Sequence, residues 1–319
     1  MGWVSQNTGV SAGNGGYFVQ FNIGNEVQDA TLGESEGDGT KVEKAIGILQ
    51  DHSSKTDTTA VIKIGEHSKG SIGVYGRQGI LNITAHTAKD KILDSNNQEK
   101  ALTVSEIDLQ GGADNIGIVA SKDGTKPAAE VNVTGDVKIS GGTGQKIAIA
   151  EKGGKINLKG NVMAGTNVNF VKNAVPLYAT GEHSTITVQN SNKFEFYLSG
   201  NSTAAYAKDK ATINMNRTTL PSEPTIHIKG ENGKGIGLFA KDGGVINAQK
   251  HYIKVENGST AISSIGAGSN IDFTGGKLEY TGNGYAVYSD GTGKIDLSDA
   301  ELNLHGSSTA FDVDLGEQR

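Results

Sequence analysis

The chain contains no cysteine, only 4 prolines and 1 tryptophan among 319 residues, and its aromatic side chains amount to 6%. Without cysteine there is no disulfide framework, no thiolate zinc site and no cysteine nucleophile. No apolar run approaches the roughly 18 residues that a membrane-spanning helix needs. The scarcity of aromatic residues beside 46 glycines does not suit compact cores filled by large side chains.

The chain also has fewer basic than acidic residues, with 29 Lys and Arg and 35 Asp and Glu, which gives a net charge of -6. This balance argues against a nucleic-acid partner, because such proteins neutralise phosphates with basic side chains. The opening segment 1–6 has neither the basic nor the apolar part of a signal peptide, and segment 314–319 resembles neither a cap nor an anchor. We therefore expect an internal portion of a longer chain.

An irregular internal repeat is the strongest positive feature. The segment 235–247 reappears in similar form at 115–124, 147–157 and 285–291. The small residue before each turn sets the register of successive copies, and these residues are Ala120, Ala150, Ala179, Ala207, Ala240, the weaker Ser264, and Ser289. The sequence therefore predicts coils of 24–33 residues.

Within one copy, apolar and polar residues alternate as in strands with one buried face, and helical spacing is absent. The copy from Tyr285 shows three short strands, with Ile295 and Leu297 in the second and Leu302 and Leu304 in the third. Strands this short must stack on their equivalents in neighbouring coils. The prediction is an all-β, right-handed parallel β-helix with three short strands per coil; a β-sandwich with coincidental spacing is the alternative.

The organisation follows from where the repeat is regular. Residues 1–45 are expected to form irregular or degenerate coils, and residues 46–319 the β-helix, with a protruding loop near 84–100 and an insert near 217–225. Ten or eleven coils at about 4.8 Å each would span roughly 50 Å. Uncapped ends would favour association between copies.

The segments 235–244 and 284–293, each followed by Ile-Asn or Ile-Asp-Leu, resemble passenger domains of type V autotransporters, specifically the very long fusobacterial outer-membrane autotransporter adhesins. The resemblance spans roughly residues 45–315. It implies a virulence-associated adhesin, displayed on the bacterial cell surface by a C-terminal membrane barrel that this sequence lacks. Its implied partners are a host cell-surface protein or glycan, or the surface of other bacteria.

Catalysis has little support in the sequence. β-Helix lyases and hydrolases that cleave acidic polysaccharides place acids and a base on one face, whereas Asp123, Asp209, Asp242 and Asp290 recur at turns, mostly beside lysine. We predict no enzyme, with a polysaccharide lyase or hydrolase as the alternative. The histidines are scattered singly, so we expect exposed positions and no metal site; they are His52, His67, His86, His183, His227, His251 and His305.

No cofactor is predicted. Two acidic stretches, 34–39 and the turn 290–296, are candidates for calcium binding, and the alternative is that each is a solvated loop.

The candidate ligand-binding residues are aromatic and occupy one repeat position. Tyr178, Tyr206 and Phe239 precede the register-setting alanine on consecutive coils, and Tyr288 is equivalent further along. Strict alternation places them on the outer surface, where exposed rings stack on sugars or anchor protein partners. The alternatives are a corner stack covered by an adjoining loop and rings turned inward by a bulge. A further alternative for the whole chain is a structural spacer without a ligand.

Overall fold

A computed structural model describes residues 3–5, 19–23, 42–84, 91–93, 99–101, 106–189, 193–307 and 309–313. Within these ranges the chain is all-β without any helix, and its parallel strands stack into a solenoid of about nine turns. The predicted parallel β-helix architecture is confirmed. None of the described segments forms a helix long and apolar enough to cross a membrane.

Each turn passes through three faces, named here first, second and third in chain order, and strands on each face pair in parallel with the equivalent strands of the neighbouring turns. The first-face strands are Trp3–Ser5, the beginnings of Ile46–Thr58 and Ile72–Ile83, Ile116–Ala120, Lys146–Glu151, Leu177–Thr180, Thr203–Lys208, Ile236–Lys241, Thr260–Ile265, Tyr285–Ser289 and Thr309–Val313. The second-face strands are the ends of Ile46–Thr58 and Ile72–Ile83, then Glu130–Val133, Lys155–Leu158, Thr185–Val188, Thr212–Asn214, Val245–Asn247, Asn270–Asp272 and Lys294–Asp296.

The third-face strands are Val19–Ile23, Ala60–Ile64, Glu106–Leu109, Asp136–Ile139, Val162–Ala164, Phe194–Gly200, Ile226–Gly230, Tyr252–Glu256, Lys277–Thr281 and Glu301–His305. The short strand Val171–Lys172 pairs with the end of Phe194–Gly200, and Val42–Glu43 pairs with Ser68–Lys69. All these pairings are parallel. The antiparallel strand pair of the described chain, Lys91–Leu93 with Glu99–Ala101, lies between the second and third faces.

The register read from the repeat is confirmed by strand pairing. The partners along the first face are Ala120, Ala150, Ala179, Ala207, Ala240, Ser264 and Ser289, which are 30, 29, 28, 33, 24 and 25 residues apart. The described residues place eleven strands on the first face, ten on the third and nine on the second, so about nine turns are complete on all three faces, rather than the expected ten or eleven. The turn from Ile72 to its partner Ile116 takes 44 residues, because it includes the segment that follows Ile83.

The core is a continuous column of aliphatic side chains that the three faces of the solenoid enclose. On the second face, Ile156 and Leu158 are fully buried while Asn157 between them points outward, and the same alternation recurs around the solenoid. Each buried Leu or Ile contributes about 1.5–3 kcal/mol relative to exposure. A few large rings also fit: Phe196, Phe273 and Tyr280 are fully buried, and the Tyr280 hydroxyl donates to the Gly258 carbonyl at 2.8 Å.

The turns after the first-face strands explain why glycine recurs there. Asp242 and Gly243 have φ angles of 50° and 82°, in the left-handed region that Gly and Asp tolerate best. Gly244 is required by space, because a Cβ there would lie 2.1 Å from the Ala207 carbonyl oxygen of the preceding turn. Gly154 makes the same approach to Ala120, also at 2.1 Å.

Several connections depart from the regular turn. Residues 215–225 join the second and third faces as the insert expected near 217–225, and Leu220 there is 42% exposed. The predicted loop 84–100 includes Lys91–Leu93, which pairs with Glu99–Ala101, while its segments 85–90 and 94–98 lie outside the described residues. A further loop, Gly165–Phe170, interrupts the third face and carries Val168, which is 89% exposed at its tip.

The N-terminal region 1–45 contributes strands to the same solenoid. Trp3–Ser5 pairs with residues 48–50 of the first face, and Val19–Ile23 pairs with Ala60–Ile64 of the third. The segments 6–18 and 24–41 lie outside the described residues.

Candidate functional site

The predicted aromatic residues lie on the outside of the first face. Tyr178 pairs with Tyr206, and Tyr206 pairs with Phe239, while the residues flanking each of them, such as Leu238 and Ala240, are fully buried. The sequence expectation that alternation turns these rings outward is therefore confirmed. All are partly exposed, as is Tyr288, which is two turns beyond Phe239 in the same register.

The aromatic residues belong to a longer line of outward side chains, which we call the outer column. It consists, in order along the solenoid, of Leu49, Tyr75, Val119, Ile149, Tyr178, Tyr206, Phe239, Ser263 and Tyr288. From Leu49 to Phe239 every member is apolar or aromatic, and all of these except the buried Val119 are partly exposed. A soluble sheet surface usually alternates buried apolar with exposed polar residues, so this stripe is unusual for an outer face.

The rings of the outer column stack along the solenoid axis. The Tyr206 and Phe239 centroids are 4.7 Å apart with planes at 13°, and those of Tyr178 and Tyr206 are 5.4 Å apart with planes at 50°. Tyr206 therefore has a neighbouring ring on each side. Ser263, which follows Phe239, is only 4% exposed although it points outward, so its neighbours close over it. The column presents mainly ring edges to the surroundings.

A second line of residues, the corner column, starts most first-face strands and is partly or fully exposed except at Thr260; sequence reasoning missed it. Its members are Ile46, Ile72, Ile116 and Lys146, and further along Thr203, Ile236, Thr260 and Tyr285. In Ile236–Lys241 the buried residues Gly237 and Leu238 are consecutive, so Ile236 and Phe239 are both partly exposed. This break in alternation separates the two columns by three residues and hides the corner column from a period-two search.

Paired charges border the outer column on the side of the turns. Lys208 and Lys241 follow the column in register and contact Asp209 and Asp242 at 3.4 and 3.8 Å. The Tyr178 phenol raises the pKa of Lys208, and Asp209 adds to that effect. These charges balance one another locally, so this border has no strong sign.

The third face carries an aromatic cluster that sequence analysis did not identify. Phe170, at the end of the loop, packs edge-on against Tyr197 and His227, with centroids 5.6 and 5.0 Å away. Lys229 places its Nζ 4.2 Å from the centre of the Phe170 ring. Burial lowers the pKa of His227, although its Nε2 is 3.2 Å from Glu256. This cluster anchors the loop to the solenoid and leaves Val168 at the tip.

The second face is polar and carries a ladder of carboxamides. Asn157 donates from Nδ2 to the Oδ1 of Asn132 at 2.7 Å, and Asn132 donates in turn to Asn82 at 2.8 Å. Further along, Asn247 donates to Asn214 at 2.6 Å. Each amide satisfies its neighbour along the axis, so the ladder stabilises the stack and distinguishes this face from the apolar first face.

The expectation of exposed histidines is wrong for His52 and His251, which are 1% and 0% exposed. His251 fixes both ends of the insert. Its Nδ1 is 2.9 Å from the Thr225 hydroxyl and its Nε2 is 2.5 Å from the Met215 carbonyl, so Nε2 carries the proton in the neutral ring. Complete burial lowers its pKa to about 4.

Among the described residues, no group of three or more His, Asp or Glu is placed to hold a metal ion. In the calcium candidate 290–296, Asp290 accepts hydrogen bonds from the backbone N–H groups of Gly266, Thr292 and Gly293. These contacts use the carboxylate within the turn. The other candidate, 34–39, lies outside the described residues.

The acids expected at the turns are held by local partners, and Asp209 and Asp242 occupy neighbouring positions on consecutive turns. Asp123 contacts Arg77 at 2.9 Å and Lys126 at 3.3 Å, and Asp209 accepts from the Thr180 hydroxyl at 2.9 Å. The Lys126 ammonium holds the pKa of Asp123 below its usual range, as the Thr180 hydroxyl does for Asp209.

Comparisons of this chain with known protein families, with curated proteins and with solved structures find no match.

Proposed function

We propose that this chain is a non-catalytic segment of a bacterial surface autotransporter adhesin, and that its first face attaches to host cells or to other bacteria. The observation that carries the proposal is the outer column. A line of apolar and aromatic side chains from Leu49 to Phe239 that is interrupted only at the buried Val119, and is otherwise partly exposed, costs free energy in water unless a partner covers it.

The rest of the solenoid supplies the other property of an adhesin segment, which is stiffness. Parallel ladders join every turn to the next on three faces, and the carboxamide ladder adds side-chain bonds along the second face. Nine turns at about 4.8 Å give a shaft of roughly 43 Å. A stiff shaft holds an adhesive surface at a fixed distance and orientation.

The test is saturable binding of the purified full chain to epithelial cells and to other bacteria, measured by flow cytometry. The variant Tyr206→Ser/Phe239→Ser removes the closest ring pair, and Tyr197→Ser removes a partly exposed ring from the third face as the matched control. We expect at least tenfold weaker binding for the first variant and less than twofold change for the control, with circular dichroism showing that both are folded.

Two alternative functions give different results in the same experiment. A structural spacer shows no saturable binding by the folded chain. A polysaccharide lyase or hydrolase releases new reducing ends from anionic polysaccharide, at a rate that the first-face variant leaves unchanged.

A further inference from the structure

The stacked rings of the outer column limit the chemistry of what can bind there. Sugar rings bind aromatic side chains through C–H groups, which are drawn to the negatively polarised ring face. Tyr206 lies between Phe239, which stacks on it at 4.7 Å, and Tyr178, whose tilted ring is 5.4 Å away. The other face of Phe239 looks toward Ser263, which is itself 4% exposed. A sugar has no free face at the centre of this stack.

What the stack does present is a row of ring edges continuous with aliphatic side chains. Ile149 extends the row on one side of Tyr178, and Tyr75 and Leu49 continue it beyond Val119, which is buried. Aliphatic groups lack the hydroxyl and carbonyl groups that hold sugars in place. They gain most from contact with other apolar side chains.

The size of this surface fits a protein partner. Seven turns from Leu49 to Phe239 cover about 29 Å along the axis, and one first-face strand about 17 Å across, which gives about 500 Å² in projection. One side of a standard protein–protein interface buries about 800 Å² of accessible surface. The accessible area of the first face exceeds its projected area, because side chains protrude from it, and so approaches the size of one side of such an interface. It is far larger than the area that one sugar ring covers.

The border of the surface also fits an uncharged partner. Lys208 and Lys241 are paired with Asp209 and Asp242 on the solenoid itself. An anionic glycan would have to displace these carboxylates to gain the lysines, whereas an apolar protein surface leaves both pairs in place at a solvated rim.

We infer that the first face binds an apolar protein surface about 29 Å long rather than a glycan. This inference rests on the proposed adhesive function and specifies its partner. It also gives the outer and corner columns one role: Ile236 and Phe239 lie on the same strand and would contact the same partner.

The test compares binding of the full chain to untreated cells, to cells shaved with trypsin, and to cells whose surface glycans have been oxidised by mild periodate. Trypsin removes proteins, and periodate destroys sugar rings while leaving protein in place. We expect trypsin to reduce the bound chain at least tenfold and periodate to reduce it less than twofold, with the remaining binding still lost in Tyr206→Ser/Phe239→Ser.

Loss of binding after periodate would overturn the inference and leave the adhesive function standing. Binding to an array of immobilised glycans that is lost in Tyr206→Ser/Phe239→Ser would also overturn the inference and leave the adhesive function standing. Binding to shaved cells that equals binding to untreated cells would also overturn it. Absence of saturable binding to untreated cells would remove the proposed function, and this inference with it.

Discussion

Tyr206 and Phe239 are 33 residues apart in sequence, yet their rings stack with centroids 4.7 Å apart and planes at 13°. The solenoid register creates this pair, since the strands that carry the two residues are hydrogen-bonded neighbours. Their stacking covers ring faces, and the edges that remain form part of an apolar stripe on the outside of a protein. The functional account depends on this stripe.

Inward and outward residues of one strand should differ in their effect on stability. Leu238 is fully buried and Phe239, next to it, is partly exposed. We expect Leu238→Ala to lower the free energy of unfolding by about 2–5 kcal/mol, and Phe239→Ala by about 1 kcal/mol, mainly through the lost ring pair. Urea denaturation measures both. Equal losses would contradict the assignment of Phe239 to the outer surface.

Two glycines should respond differently to alanine. A Cβ on Gly244 would lie 2.1 Å from the Ala207 carbonyl oxygen, whereas a Cβ on Gly233 meets nothing within 4 Å. Gly233→Ala should cost about 1 kcal/mol because φ there is 67°. Gly244→Ala forces two backbone segments apart and should cost more than 3 kcal/mol. Thermal unfolding of both variants checks this, and a tolerated Gly244→Ala would show that the turns are not packed as described.

The buried His251 predicts a pH dependence of stability. Burial lowers its pKa from 6.5 to about 4 in the folded chain, so the unfolded chain takes up the proton first as pH falls. Its contribution is complete above pH 6.5 and is lost progressively between 6.5 and 4, to a total of about 3 kcal/mol.

His251→Gln should therefore flatten the stability curve between pH 6.5 and 4, compared with the wild-type chain. The matched control is His183→Gln, because the side chain of His183 is 84% exposed. Denaturant midpoints measured across this range decide the matter. An unchanged slope in His251→Gln, or the same change in both variants, would contradict the burial of His251.

A carboxylate in the carboxamide ladder should destabilise the fold, because it cannot donate the hydrogen bonds that an asparagine donates. Asn132 donates from Nδ2 to Asn82 and also to the Glu130 carboxylate at 3.0 Å. Asn132→Asp replaces this donor with an acceptor that faces two oxygens, and should lower the free energy of unfolding by about 1–3 kcal/mol at pH 7. Adding Glu130→Gln should recover part of the loss. A stable Asn132→Asp variant would mean that the ladder contributes little.

The solenoid architecture could be predicted from the sequence because every turn repeats the same pattern, in which apolar and polar residues alternate and a small residue precedes the turn. Small residues such as Ala120 and Ala150 recur where strands meet the turn, and pairing them in order gives the observed register. The outward placement of Tyr206 and Phe239 followed from the same alternation. The carboxamide ladder was not predicted: Asn132 and Asn157 occupy equivalent positions, but the hydrogen bond between them depends on how the two turns stack.

Other features depend on interactions that no local pattern records. Ile236 is outward because Gly237 and Leu238 both point inward, which breaks the alternation. His251 is buried because a distant insert closes over it and supplies the Met215 carbonyl. Phe170 lies over Tyr197 because an irregular loop folds back on the third face. For His251 and Phe170 the deciding contact comes from a different turn of the solenoid.

The most direct test of the central claim uses the absence of cysteine to place one fluorophore on each face. Single variants Thr203→Cys, Lys155→Cys and Lys229→Cys label the first, second and third faces in turn. Iodide quenching is then measured for the free chain and for the chain bound to cells. The account predicts at least threefold protection of the label at position 203 and little change at 155 and 229. Protection of the second or third face with position 203 still open to iodide would contradict it.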